Sequence, residues 1–287
     1  MHLIMLLFSL GLAWWLRCRG FSPENLSGQT PAGSWIERWQ RTLTLFLFPP
    51  LLLLLTALSV LCMGPQGQMI GLQAGGFGYW FAVGLLVFAA AICFKRVWQG
   101  WYALRQTCCC PKLNIHGKTV RLLDVPMLFA AQVGFWQSEL AISQGLLDTL
   151  DEEHLEAVLL HEQAHQYYRD TFWFFWLGWI RQVTGWLPYT DELWQELLLL
   201  RELRADCWAA QSVDGLLLAE SLLAMVNPLS VPSAFCAAFD SAESRSRLQE
   251  RVEALLVMSE TPPPTCVWSW TWFLFVLMPL AMVPLHT

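Results

Sequence analysis

Charge is what this sequence has least of. Asp, Glu, Lys and Arg make up 14% of its 287 residues, while apolar residues reach 55%. An ordinary soluble domain carries about 25% charged residues. A chain so poor in charge cannot cover a folded surface with solvated side chains, which points to a protein partly surrounded by lipid. A positive excess is also missing. The net charge of -6 excludes direct nucleic-acid binding, which needs a basic face to neutralise phosphates. Disulfide logic is missing too: the nine cysteines are odd in number and lack secreted-domain spacing. Cys18, Cys62, Cys93 and Cys266 lie in or beside apolar runs, where a thiol acts as a small hydrophobe. Cys108, Cys109 and Cys110 lack the C-x-x-C spacing of zinc ribbons and read as structural thiols of a reducing compartment. There are no internal repeats.

Long apolar runs are what the sequence does have: Met1–Leu16, Leu43–Met63, Phe77–Phe94 and Val267–Leu285. A membrane span needs about 20 apolar residues, within a range near 17–25. The first run is short, but it lacks the basic start and small-residue cleavage site of a signal peptide, so it reads as an uncleaved span. Pro49 and Pro50 interrupt the second, which a membrane helix tolerates where neighbours satisfy the freed carbonyls. Seventeen Trp and seventeen Phe suit the headgroup preference of aromatic rings. Arg17, Arg19, Arg38 and Arg41 lie between the first two spans, and Lys95, Arg96, Arg105 and Lys112 follow the third. Gly64–Gly76 carries no charge, and no Lys or Arg follows the fourth run. The positive-inside rule then places the first loop and residues 95–265 in the cytoplasm. The expectation is an α-helical, multi-pass protein of the cell (inner or plasma) membrane with four transmembrane helices. Residues 1–94 hold three of them, with a cytoplasmic loop at 17–42; a cytoplasmic domain follows at 95–265; residues 266–287 hold the fourth.

Ser22–Gly33 reads as a loop and Pro262-Pro263-Pro264 as a stiff link. Between them, Val120–Leu123 and Met127–Ile142 contain β-compatible runs, and Ser143-Gln144-Gly145 reads as a turn. A helix is expected from near Thr149, because Thr149 and Glu152 have capping-box spacing and Asp151, Glu152 and Glu153 suit a positive helix end. Leu155, Val158 and Leu159 carry helical spacing on to His161 and His165. Phe172–Leu187 is apolar but interrupted by Arg181, Gln182 and Gly185; it is expected to lie in the interface or to pack on membrane helices. A further helix is expected over Asp191–Gln211.

His161-Glu162-Gln163-Ala164-His165 is an H-E-x-x-H pattern. On a helix, residues i and i+4 share a face, so both imidazoles can reach one ion. Glu162 is offset from them and can contact the water that the metal activates. A metal such as zinc lowers the pKa of that water to about 7, and a carboxylate can then take its proton. A catalytic zinc usually has three protein ligands and an open position. Arg201-Glu202-Leu203-Arg204-Ala205-Asp206 offers Glu202 as the third ligand, with Asp206 one turn on as acceptor for a ligand histidine's free N–H. The plainer alternative for Glu202 and Asp206 is a charged helix surface. His154 lies about two turns, roughly 10 Å, from His161 and cannot share its ion. His116 reads as a loop residue, and His2 and His286 lie near the ends.

H-E-x-x-H followed some forty residues later by E-x-x-x-D resembles the gluzincin membrane peptidases, both the HtpX-type quality-control group and the BlaR/MecR-type signalling group. The order of three spans, zinc domain and fourth span resembles the BlaR/MecR type. So do Arg169-Asp170, Trp186-Leu187-Pro188 and the basic, amphipathic Arg245–Leu256. The resemblance implies an α+β zinc-peptidase domain in which His161, His165 and Glu202 bind Zn2+, Glu162 is catalytic and Asp206 orients a ligand. It also implies that Glu139–Ser143 resembles the edge strand that pairs with substrate, and that the substrate is a BlaI/MecI-like repressor, with Ser241–Arg251 as a place for self-cleavage. Unlike the β-lactam sensors, the sequence has no extracellular penicillin-binding domain after the fourth run, so direct antibiotic sensing is not expected. Two other readings remain: an HtpX-like protease for damaged membrane proteins, and an inactive signalling scaffold with a structural zinc.

Overall fold

A computed structural model describes residues 2–21, 35–66, 68–69, 72–73, 76–115, 117–225, 241–258 and 271–285. The loop at 22–33, the proline link at 262–264, His116, His286 and the first residues of the fourth run lie outside them. In chain order the elements are α1 (His2–Gly20), α2 (Trp35–Met63), β1 (Gln68–Met69), β2 (Leu72–Gln73), α3 (Gly76–Cys108), β3 (Lys112–Ile115), β4 (Lys118–Leu123), β5 (Ala130–Val133) and β6 (Glu139–Ser143). Then come α4 (Gln144–Thr149), α5 (Glu152–Tyr167), α6 (Asp170–Val183), α7 (Thr190–Ala209), α8 (Gly215–Met225), α9 (Ser241–Met258), α10 (Thr271–Val276) and α11 (Met278–Ala281). The chain divides into two compact units: residues 1–97, 177–197 and 265–287, and residues 98–176 and 198–264.

In the first unit, α1, α2 and α3 are long and apolar enough to cross a membrane. α2 runs unbroken through Pro49 and Pro50. Its hydroxyls return to its own backbone, Thr56 to the Leu52 carbonyl at 2.7 Å and Ser59 to that of Leu55 at 2.8 Å. That disposes of polar groups that lipid could not satisfy. Arg17 is wholly buried and donates to the carbonyls of Pro188 and Phe46 and to the Thr190 hydroxyl, each at 3.2 Å. The described part of the predicted fourth span is not one helix. It consists of α10, α11 and a 3-10 turn at Val283–Leu285. Pro279 and Pro284 lie in this stretch and supply no N–H for a continuous ladder. Phe172–Leu187 is not of spanning length. Its second half packs on the span-length helices: Val183 meets Leu54 and Ala89, and the Trp179 indole donates to the Ala89 carbonyl at 2.8 Å.

The second unit is built on a four-stranded sheet of order β3-β4-β6-β5. β4 and β6 are parallel, with Val120 opposite Leu140 and Leu122 opposite Ile142. β5 runs antiparallel to β6, with Ala130 opposite Ile142 and Gln132 opposite Leu140. Alternate strand residues share a face, so Val120, Leu140 and Ile142 meet Leu155, Val158 and Leu159 of α5 in one apolar core. The other side of α5 brings Ala157 against Leu218, Leu222 and Leu255. The motif helix is thus clamped between the sheet and α8 and α9.

Three local expectations are corrected. Glu139–Ser143 is not an edge strand, because β6 is bonded on both sides; the free edge beside α5 belongs to β5. The helix of the motif is capped by Asp151, whose side chain accepts from the His154 amide, and not by Thr149. Thr149 ends α4, and its hydroxyl bonds the Gly145 carbonyl at 2.7 Å. The supposed turn at 143–145 is the start of α4, where Ser143 accepts from the Leu146 amide. A strand followed directly by a short capped helix looks like a turn when read locally.

Candidate metal centre

His161, Glu162 and His165 all lie on α5 and are buried. The two Nε2 atoms are 3.2 Å apart. Glu202 of α7 brings its Oε2 to 3.3 Å from His161 Nε2 and 3.8 Å from His165 Nε2. These three side chains form a cluster able to hold a metal ion. Tetrahedral ligands about 2.0–2.1 Å from an ion such as zinc are separated by about 3.3–3.4 Å, so the donor atoms stand close to where one ion would need them. Leu199, Leu200 and Leu203, all buried, seat the segment of α7 that carries Glu202.

Each imidazole is backed by a carboxylate, and each carboxylate by an arginine. His161 Nδ1 lies 2.8 Å from Asp206 Oδ1. Arg251 of α9 donates to both Asp206 oxygens, at 2.7 and 2.8 Å, and its Nη1 lies 3.5 Å from Glu202 Oε2. His165 Nδ1 is hydrogen-bonded to Asp170 Oδ2 at 2.7 Å, and Arg204 donates to Asp170. Arg201 donates twice to the outer oxygen of Glu202, at 2.9 and 2.6 Å. Partners of this kind fix which ring nitrogen faces the ion.

The electrostatics favour a cation at the centre. Burial works against charge on His161, yet Asp206 and Glu202 raise its pKa to about 9. His165 is likewise raised, by Asp170 and Glu202 acting against burial. Burial also opposes ionisation of Glu202, but Arg201, His161, His165 and Arg251 hold its carboxyl well below the usual range. Asp206 is lowered, against burial, by Arg251 and His161. Burial opposes charge on Arg251 as well, and Asp206, Glu202 and Glu162 outweigh it. Imidazoles made more basic and a carboxylate made more acidic around one point form a donor set fitted to a metal ion.

A cavity of about 430 Å³ opens on the cluster, lined by Glu162, by Ala130, Ala131 and Gln132 of β5, and by apolar residues of α5 and α8. Gln132 donates to the Glu162 carbonyl at 3.0 Å, tying β5 to the motif helix. The residues expected to act together therefore lie together: His161, His165 and Glu202 share one point, Glu162 lines the same cavity, and Asp206 backs His161. His154 stands apart, paired with Asp151 at 2.6 Å.

Arg204 and Arg251 went unread in the sequence, and Asp170 was noticed only beside Arg169. For Arg204 the available signal was R-E-L-R-A-D itself, four charges in six residues of α7. Ser241–Arg251, considered for self-cleavage, is held in α9. Cys108 and Cys109 are exposed free thiols and Cys110 is partly covered. Arg121 donates to the Cys108 and Cys110 carbonyls at 2.7 and 3.3 Å.

Comparison with known proteins covers part of this site. A family model described as peptidase family M48 matches residues 109–187. The match takes in both histidines and Glu162 but stops short of Glu202 and Asp206. No curated protein and no solved structure matches the chain. Over residues 109–187 the chain is similar to peptidase family M48, and that similarity points to a metal-dependent peptidase.

Proposed function

We propose that the chain is a membrane-bound zinc endopeptidase that cuts a protein on the cytoplasmic side. The observation that carries this reading is the convergence of His161 Nε2, His165 Nε2 and Glu202 Oε2, with separations of 3.2–3.8 Å, beside a buried Glu162 that is not one of the three. Asp206 and Asp170 hold the Nδ1 sides of the rings, leaving both Nε2 atoms for the ion. A bound zinc supplies Lewis acidity, acidifying water and polarising a carbonyl. Glu162 takes a proton from the attacking water and returns it to the departing amine. The free edge of β5 can align an extended substrate by backbone hydrogen bonds, and Ala130 and Ala131 leave room for it along the cavity wall.

For the substrate, a BlaI/MecI-like repressor follows from the order of spans and zinc domain that the sequence resembles. The alternative is an HtpX-like quality-control protease; the similarity to peptidase family M48 over residues 109–187 supports peptidase character under either reading. An inactive scaffold fits less well. A structural zinc is closed by four protein ligands, whereas three converge among the described residues and Glu162 adjoins them.

The test is metal analysis of the purified protein beside a cleavage assay of Glu162→Gln. Zinc bound in both proteins with cleavage lost only in the variant is expected; unchanged proteolysis would overturn the role of Glu162. Co-expression with a candidate repressor separates the substrate readings, since one defined cut supports signalling and broad loss of unfolded membrane proteins supports quality control.

A further inference from the structure

Just beyond β5 the chain builds an aromatic surface that the peptidase chemistry does not use. Gly134 turns the strand with φ of +140°, and a Cβ there would lie 2.5 Å from the Gln137 carbonyl oxygen, so the turn requires glycine. The turn presents Phe135 and Trp136. Phe135 packs edge-on to Phe172 and Phe175, each with centroids 5.1 Å apart, and Trp136 packs edge-on to Phe172 at 5.2 Å. The Thr171 hydroxyl donates to the Phe135 carbonyl at 3.4 Å, and the Arg169 guanidinium lies 4.6 Å over the Trp136 ring. The loop is therefore docked on α6, yet its rings are not hidden: Trp136 is 59% exposed, and Trp173, which packs edge-on to the same Phe172 at 5.2 Å, is 55% exposed.

A soluble surface seldom concentrates large apolar rings in this way. Trp with a cation at the rim is the chemistry of the headgroup layer, where an amphipathic ring and a nearby guanidinium both find partners. The same chain carries three helices long and apolar enough to cross a membrane, so a bilayer is the apolar surface this chemistry would meet.

We propose that Phe135, Trp136 and Trp173 form an anchor that inserts into the interfacial layer of the bilayer. Because Val133 of β5 leads directly into Gly134, the anchor holds the strand lining the metal cavity at the lipid surface. Polypeptide segments close to a membrane are then the ones it can engage. The anchor itself does not depend on the site being catalytic.

The test uses the full chain carrying the photoreactive residue benzoylphenylalanine in place of Trp136 or Trp173. The protein is reconstituted into vesicles of phosphatidylcholine and phosphatidylglycerol, with unchanged metal content as the check on folding. Phe88, on the exposed face of α3, serves as the lipid-contacting control, and Glu153, exposed in the first turn of α5, as the aqueous control. Phospholipid adducts at 136 and 173 approaching the yield at 88, with none at 153, are expected. Adducts at 88 alone, or cross-links from 136 to a second copy of the chain in place of lipid, would overturn the proposal. Absence of adducts even at 88 would overturn it together with the membrane reading.

Discussion

The two imidazoles of the centre do the same job but are supported from different distances along the chain. His165 is backed by Asp170, five residues on, at the first turn of the next helix, where the positive helix end favours a carboxylate. Its arginine, Arg204, comes from the ligand helix α7. His161 is backed by Asp206, on that same helix α7, and Asp206 is gripped by Arg251, 45 residues further on. Arg251 also approaches Glu202, so one guanidinium ties the carboxylate behind one histidine to the third member of the cluster. The carboxylate on the His165 side is local to its histidine, whereas the one on the His161 side is distant and its arginine also reaches Glu202. Positions on the His161 side should therefore tolerate less change.

The largest expected effect leaves both supports intact. Glu162→Gln should lower cleavage by about 10²–10⁴-fold, the usual worth of a general base, with metal content unchanged by elemental analysis. Next come the arginines. Arg251→Met should cost about 3–5 kcal/mol of stability in urea melts, because it strands buried Asp206 without its partner. Arg204→Met should cost less, since Arg251 holds both oxygens of Asp206 and also approaches Glu202; equal losses would break the comparison. At the carboxylates, Asp206→Asn and Asp170→Asn should each weaken metal binding by roughly 10–100-fold in chelator competition, with Asp206→Asn the greater loss.

Metal removal and pH sharpen the same contrast. His161 rises from an ordinary 6.5 to about 9 on folding, so its proton stabilises the metal-free fold fully below about 6.5, and that stability is lost as pH climbs through 9. His165 shifts in the same direction. Glu202 and Asp206 are lowered, so their contribution is present above the ordinary carboxylate range and is lost as pH falls below it. Metal-stripped protein should therefore melt highest in mildly acidic solution. The metal must displace the His161 proton, so affinity should rise with pH up to about 9. Thermal melts with and without chelator check both trends. The smallest effect is at the helix start: Asp151→Ala should cost about 1 kcal/mol and Thr149→Ala less, with no difference in metal affinity.

The same distinction between local and distant support decides how much could be read in the sequence. The i, i+4 spacing of His161 and His165, and of Glu202 and Asp206, is a property of one helix, and both pairs were legible. Helical periodicity also marked α5 and α7, and long apolar runs marked α1, α2 and α3. Arg251 was not legible, because its role depends on α9 packing over α7, and no local pattern encodes that approach. The edge of the sheet failed for a similar reason: Glu139–Ser143 reads as a strand, but only the pairing order places β5 outside it. The single last span was read from length and apolar composition alone, which take no account of the breaks that Pro279 and Pro284 bring.

X-ray absorption at the zinc edge of the purified, zinc-loaded chain tests the centre most directly. Imidazole nitrogen and carboxylate oxygen at about 2.0–2.1 Å, with imidazole scattering reduced in His165→Ala, is the predicted shell. A sulfur scatterer at about 2.3 Å, or a spectrum unchanged by that substitution, would place the metal on other residues and contradict the account.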